Sequence, residues 1–476
     1  MISRRIALAG YPAVYFLHFA RSLEEAGFDV HWICALAAEA GYLRANGVSS
    51  DHILDVNVGF RRDGALPTGA RERLHRLENA AQPRINDIIL MDRILSKKPP
   101  EFSVRYMDHL GVSISAFLEA RGIVMVSSWR DTALQLMTML VCKERGIGFV
   151  VPTRARIPQD MYGFCTGHHT AGFLALREIA DADRKWAVDF LDEFESRGMR
   201  PALKISARGF ADVLHLLPVH ARTFFYELRR SLHDAGNDYA RYPIPRLVLA
   251  YLRRRVNLLV YKLVRPAETS VADDAPFCLY ALHTQPESSI DVVGSFFSDQ
   301  IGLVRYISRS LPATHTLYVK VHPTDVDGQS LAFYRAIKAI PNVRLLDFAV
   351  DSRTLLQRAS LVFALTGTIA YEAGLLGKPV VVFARNYFND LPTVHYCESP
   401  PALPALVERL LGPEFADPRT LRPRTLDFLA RLRAACHDGE LSRSHLGHRT
   451  FLTQADLHTA QRAYLSLFER FAAEVK

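Results

Sequence analysis

The sequence has only six cysteines in 476 residues and no CxxC pair, which argues against both a disulfide framework and a thiolate zinc site. No stretch reaches the roughly 18–20 uninterrupted apolar residues of a transmembrane helix, so any membrane contact is expected to be peripheral. Low-complexity tracts and fixed-period repeats are missing, which removes solenoids and propellers. GxGxxG does not follow the first apolar run, so the dinucleotide fingerprint is absent. Basic residues are spread along the chain without a nucleic-acid-binding motif, and no nucleic acid is expected as a partner. His168 and His169 have no cysteine or carboxylate nearby to complete a zinc site.

What is present points to a globular enzyme. Hydrophobic residues make up 49% and charged residues 23% of the chain. Its length suggests two domains of similar size. A net charge of +8 and a pI near 9.1 suit anionic ligands such as nucleotide phosphates, or an anionic membrane surface. Cys142 and Cys278 lie in apolar surroundings and read as buried thiols, which fits a reducing cytoplasm. The expected location is cytoplasmic, with scope for peripheral contact at the inner membrane. The apolar N-terminal stretch is interrupted by Pro12, His18 and Arg21, so it reads as a first strand and helix and not as a signal peptide.

The expected fold is α/β, with two Rossmann-like doubly wound domains and a helical connecting region. Residues 5–10 form a short apolar run. Phe16, Phe19 and Leu23 then recur at helical spacing before Gly27, a C-cap candidate, and 28–33 reads as a second strand. Residues 122–128 and 148–151 are strand-like around a helix at 132–145, and the first domain is expected to end near 165. Residues 166–274 read as a helical connector. Within it 251–266 is basic and apolar together, as an interdomain helix or a membrane-surface helix would be. From 275 to 450 strands alternate with helices as in a doubly wound sheet. Residues 451–476 carry a last helix with Ala460, Tyr464, Leu467 and Phe471 on one stripe, expected to fold back on the first domain.

Ligands of an open parallel sheet bind beyond the carboxyl ends of its strands, and three motifs fall there. His283–Glu287 (HTQPE) follows strand 277–282, and Pro286 holds Gln285 extended, aiming His283 and Gln285 from the strand end. Lys320–Pro323 (KVHP) ends the next strand with Lys320 and His322 on one face. A lysine in an interior strand needs an anion, such as a diphosphate; an edge strand with a solvated Lys320 is the alternative. Asp325 and Asp327 form a DxD triplet of the kind common in loops, and no metal site is expected from it. Thr366-Gly367-Thr368 opens a helix whose free N–H groups and dipole favour an anion. Glu372 shares a face with Thr368 at a spacing wrong for a capping box, which suits a role toward ribose hydroxyls.

HTQPE, YVKVHP and ALTGTIAYEAGLLGKPVVVF, in that order, resemble the bacterial capsule polysaccharide biosynthesis family, which includes capsule Kdo transferases of glycosyltransferase-B fold. The resemblance covers about 275–400. It implies that the second domain binds the donor nucleotide, with His322 and Pro323 at the phosphate, Thr366 and Thr368 nearby, and Glu372 toward ribose or base. His283 and Gln285, beside Glu287, would line the cleft. The acidic pair that the Kdo transferases carry after a first-domain strand is missing: Pro152-Thr153-Arg154-Ala155-Arg156 stands there instead. Arg154 and Arg156, with Arg130, are suited to an anionic acceptor or a donor carboxylate.

The expected reaction is metal-independent transfer of a sugar from a CMP- or UDP-linked donor to a capsule polysaccharide, other surface glycan or glycolipid. It needs no cofactor beyond the nucleotide sugar. Lys320, His322 and the turn at Thr366–Thr368 would stabilise the departing phosphate, with His283 and His322 as catalytic candidates. Asp131 is the candidate general base, or else the N-cap of helix 132–145. A CDP-linked polyol-phosphate transferase, a non-catalytic nucleotide-sugar or glycan-binding protein, and a nonhydrolysing sugar epimerase are the rival readings.

Overall fold

Two sheets organise the chain. The computed structural model describes residues 4–61, 63–129, 132–158, 160–167, 172–197, 244–272, 275–413, 415, 418–439, 441 and 452–474. The first unit takes the described residues up to Arg177 and from Ala435 onward, and the second takes those from Glu178 to Ala434. Helices Asp181–Arg197 and Ile244–Val264 therefore group with the second sheet, and the chain rejoins the first unit ahead of residue 451.

The first sheet contains β1 (Arg5–Ala9), β2 (Asp29–Cys34), β3 (Ile53–Asp55), β4 (Met125–Ser128), β5 (Gly148–Arg154) and β6 (Met161–Cys165). The second contains β7 (Phe277–Ala281), β8 (Thr316–Lys320), β9 (Val343–Leu346), β10 (Leu361–Ala364), β11 (Val380–Val382) and β12 (Val394–Tyr396). A short β13 (His437–Asp438) returns to β6. The spatial orders are β13-β6-β5-β4-β1-β2-β3 and β12-β11-β10-β7-β8-β9. The second sheet, parallel throughout, has the doubly wound order of a dinucleotide-binding fold, and the first shares it through β5.

Helix Ala13–Glu25 buries Phe16, Phe19, Ala20 and Leu23, the i, i+3, i+4, i+7 stripe of an amphipathic helix. It stops where Gly27 takes φ +86°. Gly27 N–H then donates to Glu24 O and Phe28 N–H to Leu23 O, a Schellman closure that needs left-handed backbone. Helix Gln454–Glu474 packs on this helix: Phe19 and Tyr464 rings meet edge to face at 5.4 Å, and Tyr464 Oη lies 3.1 Å from Tyr11 Oη and 2.7 Å from Ser127 Oγ.

β5 runs beyond the strand-like 148–151 and continues through Pro152 to Arg154. The ladder to β4 ends at Val150, so the missing N–H of Pro152 costs no bond there, and Val151–Arg154 pair antiparallel with β6.

Candidate functional site

The strand order of the second sheet reverses at β7, between β8 and β10, and the three sequence motifs sit at those carboxyl ends. Two hydrogen bonds join them. His283 Nε2 accepts from Leu365 N–H (3.1 Å), tying the end of β7 to the turn after β10. Thr284 Oγ1 lies 2.9 Å from His322 Nδ1, tying it to the end of β8.

His322 is half-buried, and its Nδ1 also accepts from Thr324 N–H (3.3 Å), with Thr324 Oγ1 at 2.9 Å. A neutral imidazole with Nδ1 accepting carries its proton on Nε2. Burial, then the charge of Lys320, lowers the His322 pKa to about 4, so the ring is neutral near pH 7 and offers one N–H donor. Thr284 and Thr324, 2.7 Å apart, hold that tautomer; Thr324 is two residues along the same loop, and Thr284 comes from the neighbouring strand end.

His283 is buried and differently engaged. Its backbone N–H donates to Gln300 Oε1 (2.7 Å), and Gln300 Nε2 donates to its carbonyl (3.1 Å). With Nε2 occupied by Leu365 N–H, His283 cannot take a proton there without breaking the link between β7 and β10. That nitrogen is committed to holding the two strand ends together. Gln285 Nε2 donates to Asp291 Oδ1 (3.0 Å), while Glu287 and Pro323 are exposed.

Lys320 is buried on β8, an interior strand, so the edge-strand alternative fails. Its ammonium donates to Phe348 O (3.0 Å). Burial lowers its pKa, and Asp347 and Asp351 work against that shift. The partner inferred as a ligand anion is thus supplied in part by the protein. Glu372 is half-buried; desolvation raises its pKa, and Arg353 opposes this.

After β10, Thr366 is 1% exposed and its Oγ1 has no hydrogen-bond partner. Leaving a buried hydroxyl unpaired costs about 1–3 kcal/mol. Gly367 follows at φ +107°, and a Cβ there would sit 3.3 Å from the His283 ring. Helix Thr368–Leu375 then begins without a side-chain cap, with Thr368 exposed at its first position. A buried lone hydroxyl, a left-handed glycine and an uncapped helix N-terminus form an arrangement that accepts an anion.

The DxD carboxylates diverge. Asp325 is buried, takes Gln329 Nε2 at 2.7 Å, and is pushed by burial up to about 6. A Cβ at Gly328 would run into its Oδ1. Asp327 faces Arg254 at 3.7 Å.

In the first unit, Arg154 is the last residue of β5 and Arg156 follows at φ +63°. Arg130, Asp131, His168 and His169 lie outside the described residues. The N-cap position of helix Ala133–Arg145 is Thr132, and the carboxylate on Ala133 N–H is that of Asp92 (3.0 Å), a cap from 41 residues away. Asp29, His31 and His52 bring ligand-type atoms within 4.8 Å of one another. Arg5 pairs with that Asp29 (3.4 Å), and Asp29 begins β2, at the edge opposite the strand ends where ligands bind. A cavity of about 300 Å³ borders helices Ala70–Ala80 and Pro100–Arg121, and its Arg73 and Arg145 are already paired with Asp108 and Glu119.

Solved structures similar to this chain include the KpsC β-Kdo 2,7 transferase of Thermosulfurimonas dismutans (12% identity, 61% of this chain and 74% of that one, TM-score 0.30). Sucrose-phosphate synthase of Thermosynechococcus elongatus shares 14% identity over 98% of this chain and 100% of that one, with TM-score 0.29. The UDP-GlcNAc 2-epimerase of Methanocaldococcus jannaschii shares 13% over 88% and 97%, with TM-score 0.26. These superpositions are too loose to bear on function, and the two sheets themselves carry the fold assignment. No curated protein matches the sequence. Among the described residues no helix is long and apolar enough to cross a membrane. Residues 232–391, which hold all three motifs, match the family model described as capsule polysaccharide biosynthesis protein, and this part of the chain carries that family's pattern.

Proposed function

We propose that this chain is a glycosyltransferase that binds a nucleotide-activated sugar at the carboxyl edge of its second sheet and passes the sugar to a surface polysaccharide or glycolipid acceptor. The observation that carries the reading is the joining of three motifs through β7: His283 reaches the β10 turn and Thr284 reaches His322. Donors that converge from three strand ends suit a phosphate group.

The acceptor hydroxyl attacks the anomeric carbon while the bond from that carbon to the phosphate oxygen breaks, and the nucleotide leaves with the electron pair. His322 Nε2–H, Thr366 Oγ1–H and the free N–H groups of helix Thr368–Leu375 meet the charge that develops on the phosphate. Lys320 adds a positive field from behind. That set works without a metal, and no cofactor is invoked beyond the donor. Glu372 is assigned to ribose or base. Asp131 is the proposed base for the acceptor proton, and Arg130, Arg154 and Arg156 the proposed anion contacts on the acceptor side. We assign the reaction to the cytoplasm, a reading supported by six buried cysteines.

The test is a thermal-shift panel of CMP, CDP, UDP, GDP and their sugar conjugates, followed by nucleotide release with acceptor. A ligand at a hundred times its dissociation constant adds about 2.7 kcal/mol of stability. One nucleotide class should stabilise the protein, and His322→Ala should remove that shift and lower transfer about 10²-fold or more while leaving the unliganded melting temperature close to wild type. No shift with any nucleotide sinks the reading. Nucleotide binding without release in the presence of acceptors would leave a binding protein, and a CDP-polyol shift would point to polyol-phosphate transfer.

A further inference from the structure

Helix Ile244–Val264 has one face against the second sheet. Asn257 Nδ2 donates to Asp327 O (3.2 Å) and Tyr261 Oη to Asp347 Oδ2 (2.8 Å). Those partners lie in the loops after β8 and β9, the same carboxyl edge that carries the proposed donor site.

The opposite face is apolar, and among the described residues nothing covers it. Leu249, Leu252, Val256, Leu259 and Leu263 follow one another at spacings of three and four, and each is at least 55% exposed. They form a single stripe about 21 Å long at 1.5 Å per residue. An isolated exposed leucine needs no explanation, but a straight row of five does.

Charge identifies the occupant. On a helical projection Arg246 and Arg253 fall along one side of the stripe, and Arg255 and Lys262 along the other. The helix contains five basic residues, counting Arg254, which faces Asp327, and no acidic one. A protein partner with an apolar groove would be served by mixed charge around the rim. An apolar row between two basic rails is the pattern of a helix lying in a lipid interface, with aliphatic side chains among the acyl chains and cations at anionic headgroups.

We propose that helix Ile244–Val264 docks the second unit on an anionic membrane surface, burying the Leu249–Leu263 stripe. Docking there sets the carboxyl edge of β8 and β9 beside the bilayer. It therefore deepens the transferase reading by making a lipid-linked acceptor the substrate class that reaches the site. The binding event itself does not depend on transfer.

The full-length protein is sedimented with vesicles of phosphatidylcholine alone and of phosphatidylcholine with about one third phosphatidylglycerol. Binding is expected to the anionic vesicles, weakening as salt screens the headgroups. Leu252→Glu with Leu259→Glu should lower it about tenfold or more. The thermal shift with nucleotide should stay at its wild-type size, since neither leucine is in the donor site. No vesicle binding by the wild type, or equal binding by the double variant, overturns the inference. So does a wild-type dimer, without vesicle binding, that the double variant turns into monomers, for then a second copy covers the stripe. A nucleotide shift without vesicle binding defeats docking alone, and vesicle binding without a nucleotide shift defeats the donor site alone.

Discussion

The two sheets share a strand order through five strands but treat the same position in opposite ways. Tyr11 lies two residues past the end of β1, and His283 lies two residues past the end of β7. Both stand where the strand order reverses. In the first unit that position is sealed. Tyr11 packs against Phe16 and Trp129, at 4.9 and 5.4 Å, and its hydroxyl joins Ser127 and Tyr464. Trp129 N–H takes Ala9 O, ordinary backbone to backbone. In the second unit the corresponding N–H, that of Leu365, takes a side-chain nitrogen of His283. The next residue, Thr366, is buried with an unpartnered hydroxyl in front of a helix N-terminus. The same topology thus carries an aromatic cluster in one case and a buried unpartnered hydroxyl in the other.

The comparison can be broken from either side. The largest expected effect is in the first unit. Tyr464→Ala removes a fully buried ring and should cost about 3–5 kcal/mol in denaturant unfolding. Tyr464→Phe, which leaves the Tyr11–Ser127 bond in place, should cost about 1 kcal/mol. Neither should change nucleotide affinity, and a matching loss of affinity would mean that the sealed position also serves the ligand.

Thr366→Val should act the other way. It swaps a buried, partnerless hydroxyl for a methyl group of similar shape, so stability should hold or rise by about 1 kcal/mol. Nucleotide affinity should fall about tenfold, because the lost donor or acceptor is one the ligand uses. A less stable protein with unchanged affinity would show that Thr366 belongs to the core, as Tyr11 does.

A further effect is a pH dependence. The unfolded His322 titrates near 6.5, whereas in the folded protein it is held at about 4 by burial and Lys320. Between those values the unfolded state binds more protons. The stability contributed by neutral His322 is therefore complete above the unfolded value and is lost as pH falls through about 4. His322→Gln should flatten that part of the melting-temperature profile between about pH 6.5 and 4. His395, also lowered to about 4, adds to the slope that remains. An unchanged profile would place the His322 ring in solvent.

Much of this was legible in the sequence. Helical spacing marked Phe16, Phe19 and Leu23, Gly27 marked the helix stop, and the apolar runs marked the second sheet, because local periodicity reflects the face each element buries. Lys320 was legible as a polar residue at the end of an apolar strand, and His322 lies two residues past that end. The sequence hid what depends on a partner from elsewhere. Asp92 caps a helix 41 residues downstream, and Thr284 reaches His322 from the neighbouring strand end, 38 residues away. Pro152 sits in a strand because its neighbour's ladder has already ended.

By itself, then, the sequence determined the alternation of strands and helices, the three polar strand ends and the basic apolar helix. These follow from composition and period within a few residues of each position. Only the tertiary structure decided that His283 Nε2 takes the N–H of Leu365 and that His322 Nδ1 takes that of Thr324, that Lys320 meets a carbonyl, and that the apolar face of helix Ile244–Val264 is exposed. Each of those outcomes depends on which atoms the fold brings within about 3 Å, or leaves without a neighbour, and hydrogen bonds and burial are set at that range.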